Sequence, residues 1–101
     1  MSIKKEYTKN KTACKVTFVL PKKATNGAKS VSVVGDFNNW DSESIPMKRL
    51  KNGGFEAIIN LKPNQEYQFR YLIDGTAWEN DPAADKYIPT PYNSENSVVV
   101  I

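Results

Sequence analysis

The chain has 101 residues and the composition of an ordinary soluble globular protein, 40% hydrophobic, 25% charged and 11% aromatic, which fits one domain and leaves little room for a second. Fourteen basic and eleven acidic residues leave a formal charge of +3, too mild to imply nucleic acid, whose binding shows as a clustered basic face. Histidine is absent, which removes Ser-His-Asp and Cys-His nucleophile arrangements and most zinc sites, so any catalysis would run on carboxylates, lysine or tyrosine. The lone cysteine, Cys14, has no partner for an internal disulfide and sits among alternating apolar residues, which predicts a buried thiol.

Residues 1–12 carry Lys4, Lys5, Lys9 and Lys11 and read either as an edge strand or as a tail preceding a β-sandwich domain over residues 13–101. This start lacks an apolar leader core, and no stretch approaches the length of a membrane span. The expectation is a cytoplasmic protein with no membrane partner. The rest of the chain reads as strands. Cys14, Val16, Phe18 and Leu20 fall on one face at period two, and residues 30–35 form a short β-branched run. Residues 47–50 lead through Asn52, Gly53 and Gly54, a hairpin signal, into Phe55–Leu61, with Phe55, Ala57, Ile59 and Leu61 on one face. After the Pro63-Asn64 turn, Tyr67, Phe69, Tyr71 and Ile73 share one face of the next strand and Gln68, Arg70 and Leu72 the other, and Asp74-Gly75 closes it. Residues 80–96, with Pro82, Pro89 and Pro91, predict an ordered irregular loop holding at most one helical turn at Asp81–Asp85, and residues 97–101 a last strand. The fold class expected is all-β: an immunoglobulin-like antiparallel sandwich of about seven strands.

Three features exceed a purely structural account. Gly35-Asp36-Phe37-Asn38-Asn39-Trp40 is a polar turn after a strand with a tryptophan at its tip. Trp40 is there either a core plug or an exposed ring, Phe37 being the better core candidate. Trp78 lies in a second polar, turn-rich segment and carries the same two alternatives. Around them stand Asn38, Asn39, Arg70, Ser94 and Asn96. Indole faces suit the axial C–H bonds of a pyranose ring, and amide and guanidinium groups suit its hydroxyl rim. Stacked nucleic-acid bases would use the same residue types, but a single arginine in this set and a net charge of +3 argue against them. No cofactor or metal is called for.

Four segments in order, Val34 to Trp40, Phe69 to Gly75, Trp78 to Pro82 and Glu95 to Val99, resemble the family-48 carbohydrate-binding modules. That family includes the glycogen-binding domain of the AMP-activated kinase β-subunit and the N-terminal domains of isoamylases and branching enzymes. The resemblance runs from about Lys15 to the end. It implies an immunoglobulin-like sandwich that binds α-1,4-linked glucan without catalysis. By position, Trp40 and Trp78 match the family's stacking tryptophans, Arg70 a basic hydrogen-bonding residue, and Asn96 a binding asparagine. Ser94 matches the hydroxyl residue two positions before it, and Tyr92 an apolar residue that is leucine in the kinase domain; Asn39 joins them as a ligand-binding candidate from the turn. The turn from Asp74 to Trp78 is one residue longer than in kinase-type members, and Arg70 stands where lysine is usual.

Two other classes compete with this reading. A glycoside hydrolase needs a pair of carboxylates at set separation, and Asp36, Asp41, Glu79 and Asp81 lie near the tryptophans in sequence. The family places that chemistry in a separate barrel, and turn carboxylates are more often caps. The remaining alternative is a regulatory or accessory module whose partner is an enzyme of glycogen metabolism, glycoside hydrolase or kinase, bearing a glycosidase's name without its activity.

Overall fold

The computed structural model describes residues 3–25, 27–91 and 94–101. Nine strands are present among the described residues: β1 (Ile3–Tyr7), β2 (Cys14–Leu20), β3 (Val31–Gly35), β4 (Lys48–Arg49), β5 (Phe55–Leu61), β6 (Glu66–Ile73), β7 (Ala77–Glu79), β8 (Lys86–Pro89) and β9 (Glu95–Val100). One helical turn, α1 (Lys22–Thr25), follows β2, and a 3-10 turn, Asp36–Asn38, follows β3. All named pairings are antiparallel. The first sheet has the order β1-β2-β5-β4 and the second β3-β6-β9-β8, with β7 added to β6.

The two sheets face each other across the residues that the alternation singled out. Cys14, Val16, Phe18 and Leu20 are all buried, as are Phe55, Ala57 and Leu61 from β5 and Phe69, Tyr71 and Ile73 from β6. Ile59 and Tyr67 are half-buried at the margin of the same cluster. Each fully buried valine, leucine, isoleucine or phenylalanine among them contributes about 1.5–3 kcal/mol by leaving water. Aromatic rings organise the centre: Phe18 meets Phe69 edge-on with centroids 5.0 Å apart, and Phe69 meets Tyr71 at 5.7 Å.

The sandwich confirms the expected fold class, with two differences of detail and one open alternative decided. There are nine described strands rather than about seven. Ile3–Tyr7 is an edge strand paired along its whole length with β2, from Ile3 opposite Phe18 to Tyr7 opposite Cys14. The stretch 80–96, expected to be an ordered irregular loop with at most one helical turn, contains β8 and the first residues of β9. Pro89 obscures β8 in the sequence, yet a proline is tolerated there because β8 lies at the sheet margin, where an absent N–H breaks no central ladder.

The second sheet is buried on both faces near its middle. Val34 pairs with Arg70 and Val98 with Gln68, so both valines share the outer face with those polar residues, and both are fully buried. The polar outer face of this sheet therefore rests on an apolar floor.

Candidate functional site

The site begins where β3 ends. Gly35 lies opposite Phe69 on β6, and a Cβ at Gly35 would fall 2.4 Å from the Gln68 carbonyl oxygen and 2.7 Å from the Phe69 Cβ. Only glycine permits this approach. Phe37 then turns inward and packs against Phe18 at 5.7 Å, anchoring the loop in the core. The Asn38 side chain is consumed by the loop itself: its Oδ1 accepts the Gly35 N–H at 3.0 Å, and its Nδ2 donates to the carbonyls of Val33 and Asp41 at 3.3 and 3.2 Å.

Asn39 and Trp40 follow at φ of 56° and 57°, and the Asp41 N–H closes on the Asn38 carbonyl at 3.1 Å. Two successive positive φ values define a type I′ geometry, in which glycine normally takes the second place. A residue bearing a Cβ in this region costs about 1–2 kcal/mol, and here that residue is the tryptophan. Trp40 is 36% exposed rather than a core plug. Its Nε1–H donates to Asp36 Oδ1 at 2.9 Å, while Asp36 Oδ2 accepts the Gln68 backbone N–H at 2.8 Å.

Trp78 is carried differently from the sequence expectation of a turn. It is the middle residue of β7, opposite Leu72, after a turn in which Asp74 and Gly75 have φ of 51° and 71°. Asp74 Oδ1 fastens that turn to the start of β3 by accepting the Lys29 and Ser30 N–H groups at 2.8 and 3.0 Å. The strand forms because β9 pairs with β6 only from Glu66 to Phe69, leaving the same edge open beyond it for Ala77–Glu79. Because cross-strand partners share a face, Trp78 projects on the side of Leu72 and Arg70. It is 46% exposed.

Between the tryptophans runs a polar network. Arg70 Nε donates to Asn96 Oδ1 at 2.6 Å and its Nη2 to Ser94 Oγ at 2.8 Å, while Asn96 Nδ2 donates to Gln68 Oε1 at 3.0 Å. Ser94 and Thr90 hydroxyls lie 2.8 Å apart. Trp40, Arg70, Trp78, Thr90, Pro91, Ser94 and Asn96 line one open depression of about 450 Å³, within the usual range for a small-ligand site.

Of the residues expected from sequence, five meet here: Trp40, Trp78, Arg70, Ser94 and Asn96. Asn39 occupies the left-handed turn and is exposed beside the depression rather than lining it. Tyr92 lies outside the described residues. Gln68, Thr90 and Pro91 were missed. The signal for Gln68 was available, since it alternates with Arg70 on the same strand face; Thr90 and Pro91 carried none beyond a proline-rich loop.

Of the nearby carboxylates, Asp36, Asp41 and Asp81 are engaged in structure. Asp81 is fully buried: its Oδ2 accepts the Tyr71 hydroxyl at 2.5 Å, its Oδ1 accepts the Ala83 N–H at 2.8 Å, and its own N–H donates to Ser97 Oγ at 2.9 Å. Burial, followed by the Asp81 charge and hydrogen bond, pushes the Tyr71 hydroxyl far above its ordinary pKa. Asp41 Oδ1 accepts the Glu43 N–H at 2.9 Å as a turn cap.

The sequence model of the family described as carbohydrate-binding module 48 (isoamylase N-terminal domain) matches residues 24–92, a span that contains both tryptophans and Arg70. The chain belongs to this family. As a family-48 module it is a carbohydrate-binding, non-catalytic type of domain. Among curated proteins it is 34% identical over 77 residues to 5'-AMP-activated protein kinase subunit beta-1 of Sus scrofa, covering 76% of this chain and 58% of that protein. It is 32% identical over 77 residues to the Rattus norvegicus beta-1 subunit, 76% of this chain and 26% of that protein. With the beta-2 subunit of Mus musculus the identity is 41% over 59 residues, 58% of this chain and 20% of that protein. The chain thus spans only part of the length of these relatives. Among the described residues no helix is long and apolar enough to cross a membrane.

Proposed function

We propose that the module binds α-1,4-linked glucan, with glucose rings stacked on Trp40 and Trp78 and hydroxyls bonded to Arg70, Asn96 and Ser94. The observation that carries this reading is the convergence of two half-exposed indoles, one from a loop and one from a strand, on one depression floored by a hydrogen-bonded arginine. A pyranose presents an apolar C–H face and a polar rim, and this site presents both complements. A guanidinium has five N–H donors, so the bonds that orient Arg70 still leave donors for a sugar. Asn39, from the turn beside the depression, and Tyr92, by its family position alone, complete the proposed contact set. Retention on immobilised glycogen is the test: the wild-type chain is expected to be held and Trp40→Ala and Trp78→Ala to wash through, whereas equal retention of all three would remove the tryptophans from the site.

A second reading, as a regulatory module docking on an enzyme of glycogen metabolism, is favoured by the similarity to kinase β-subunits. Co-purification of a kinase or glycoside hydrolase with the tagged chain, surviving Trp40→Ala, would support it over glucan binding alone.

A further inference from the structure

We infer that Asp36 is a positioning residue of the binding face: its carboxylate holds the Trp40 indole against strand β6 and so sets the stacking surface before a ligand arrives. This rests on the glucan reading above and adds a residue that lies outside the depression.

The left-handed backbone at Trp40 fixes the direction of its Cα–Cβ bond, but the side-chain torsions still allow a half-exposed ring to swing. The contact that removes this freedom is the 2.9 Å bond from the indole Nε1–H to Asp36 Oδ1. The second oxygen is fixed in turn by the Gln68 backbone N–H at 2.8 Å. One short carboxylate thereby spans loop and strand with an acceptor for each. The bond lies at the edge of the indole, which leaves the ring faces free of it for a sugar.

Gln68 extends the connection. Its side-chain oxygen accepts from Asn96, and Asn96 accepts from Arg70, which donates to Ser94. Stacking ring and hydrogen-bonding rim are therefore tied to the same strand residue, one through its backbone and one through its side chain. A ring held in place in the free protein loses less entropy on binding, the usual gain from preorganisation. Only a carboxylate can accept from both N–H groups here. Asparagine offers one acceptor oxygen and turns an amide donor toward the other N–H.

The test uses the 101-residue chain, Asp36→Asn, Trp40→Phe and the double variant, with calorimetric titration by maltoheptaose and indole ¹H–¹⁵N spectra. In the wild type the Trp40 indole N–H is expected to exchange with solvent more slowly than that of Trp78. Asp36→Asn is expected to shift and deprotect the Trp40 signal alone, and to weaken binding roughly fivefold, the net worth of one ordinary intramolecular hydrogen bond. In the Trp40→Phe background, which keeps an aromatic face but has no N–H, the same substitution is expected to change affinity little. Equal exchange of the two indoles in the wild type, an unchanged Trp40 signal in Asp36→Asn, or an undiminished affinity loss in the Trp40→Phe background would each overturn the inference. Absence of maltoheptaose binding by the wild type overturns the glucan reading instead, and the indole spectra then decide the Asp36 contact by themselves.

Discussion

Arg70 on β6 donates its Nε–H to Asn96 on β9 at 2.6 Å, and this bond makes a long cationic side chain a fixed part of the sheet surface. Val34, its partner across the β3–β6 ladder, is fully buried on the same face, and a second bond, from Nη2 to Ser94 Oγ at 2.8 Å, fixes the far end of the guanidinium. Lysine keeps the charge but not the planar fork. Arg70→Lys and Asn96→Ala are each expected to weaken maltoheptaose binding about three- to tenfold with little change in melting temperature, as read by calorimetric titration and thermal unfolding. Wild-type affinity in both would show that the orientation of the guanidinium does not matter.

Gly35 makes the seam between β3 and β6 and the entry into the Trp40 loop. With a Cβ meeting Gln68 O at 2.4 Å and Phe69 Cβ at 2.7 Å, Gly35→Ala is expected to cost about 2–3 kcal/mol through forced backbone shifts. Denaturant unfolding measures it, and a loss below about 0.5 kcal/mol would mean that the strands part easily there.

Much of the fold was legible because burial on one face writes a period of two into β2, β5 and β6. Phe37, the better core candidate of its turn, does pack against the core, and Trp40, for which core and exposed positions both stood open, is exposed. What escaped had physical causes. Ala77–Glu79 is three residues long and exposed throughout, so no alternation marks it, and Trp78 read as a turn residue. Lys86–Pro89 is a marginal strand ending in proline. Arg70, Ser94 and Asn96 were legible as a polar set, but their joining by hydrogen bonds depends on β6 and β9 being neighbours, a long-range fact. Asp36 read as one of several turn carboxylates because nothing local shows that its two oxygens reach a ring and a distant strand.

The Tyr71–Asp81 pair joins the core to the segment after β7. Tyr71→Phe removes the hydroxyl and leaves a fully buried carboxylate oxygen without that donor. A loss of about 1–3 kcal/mol in unfolding free energy is expected, with glucan binding retained at the melting-safe temperatures where the variant is folded. Unchanged stability would indicate that another donor takes the place of the hydroxyl.

Lys5 on β1 and Asp85, just ahead of β8, bridge the two sheets at 2.6 Å, and the Val100 N–H adds a bond to the same carboxylate at 2.7 Å. Partial burial raises the Asp85 pKa, but the Lys5 hydrogen bond, the Val100 N–H and the Lys5 charge outweigh it and hold the carboxyl below its ordinary range. A lowered folded-state pKa contributes stability above the unfolded value, roughly 3.9, and that contribution is lost as pH falls through the folded value. Because both side chains are partly solvated, Asp85→Asn is expected to cost only about 0.5–1 kcal/mol at neutral pH. The gap between wild type and variant should close as pH drops below roughly 4; a gap that persists in acid would rule out the ion pair as its source.

If the two indoles and Arg70 form one sugar-binding surface, a crystal structure with maltoheptaose will show the sugar on it. Glucose rings are expected to lie flat on Trp40 and Trp78, with hydroxyls within hydrogen-bonding distance of Arg70 and Asn96. Sugar bound on another face, or bound at the depression with neither indole stacked, would contradict it.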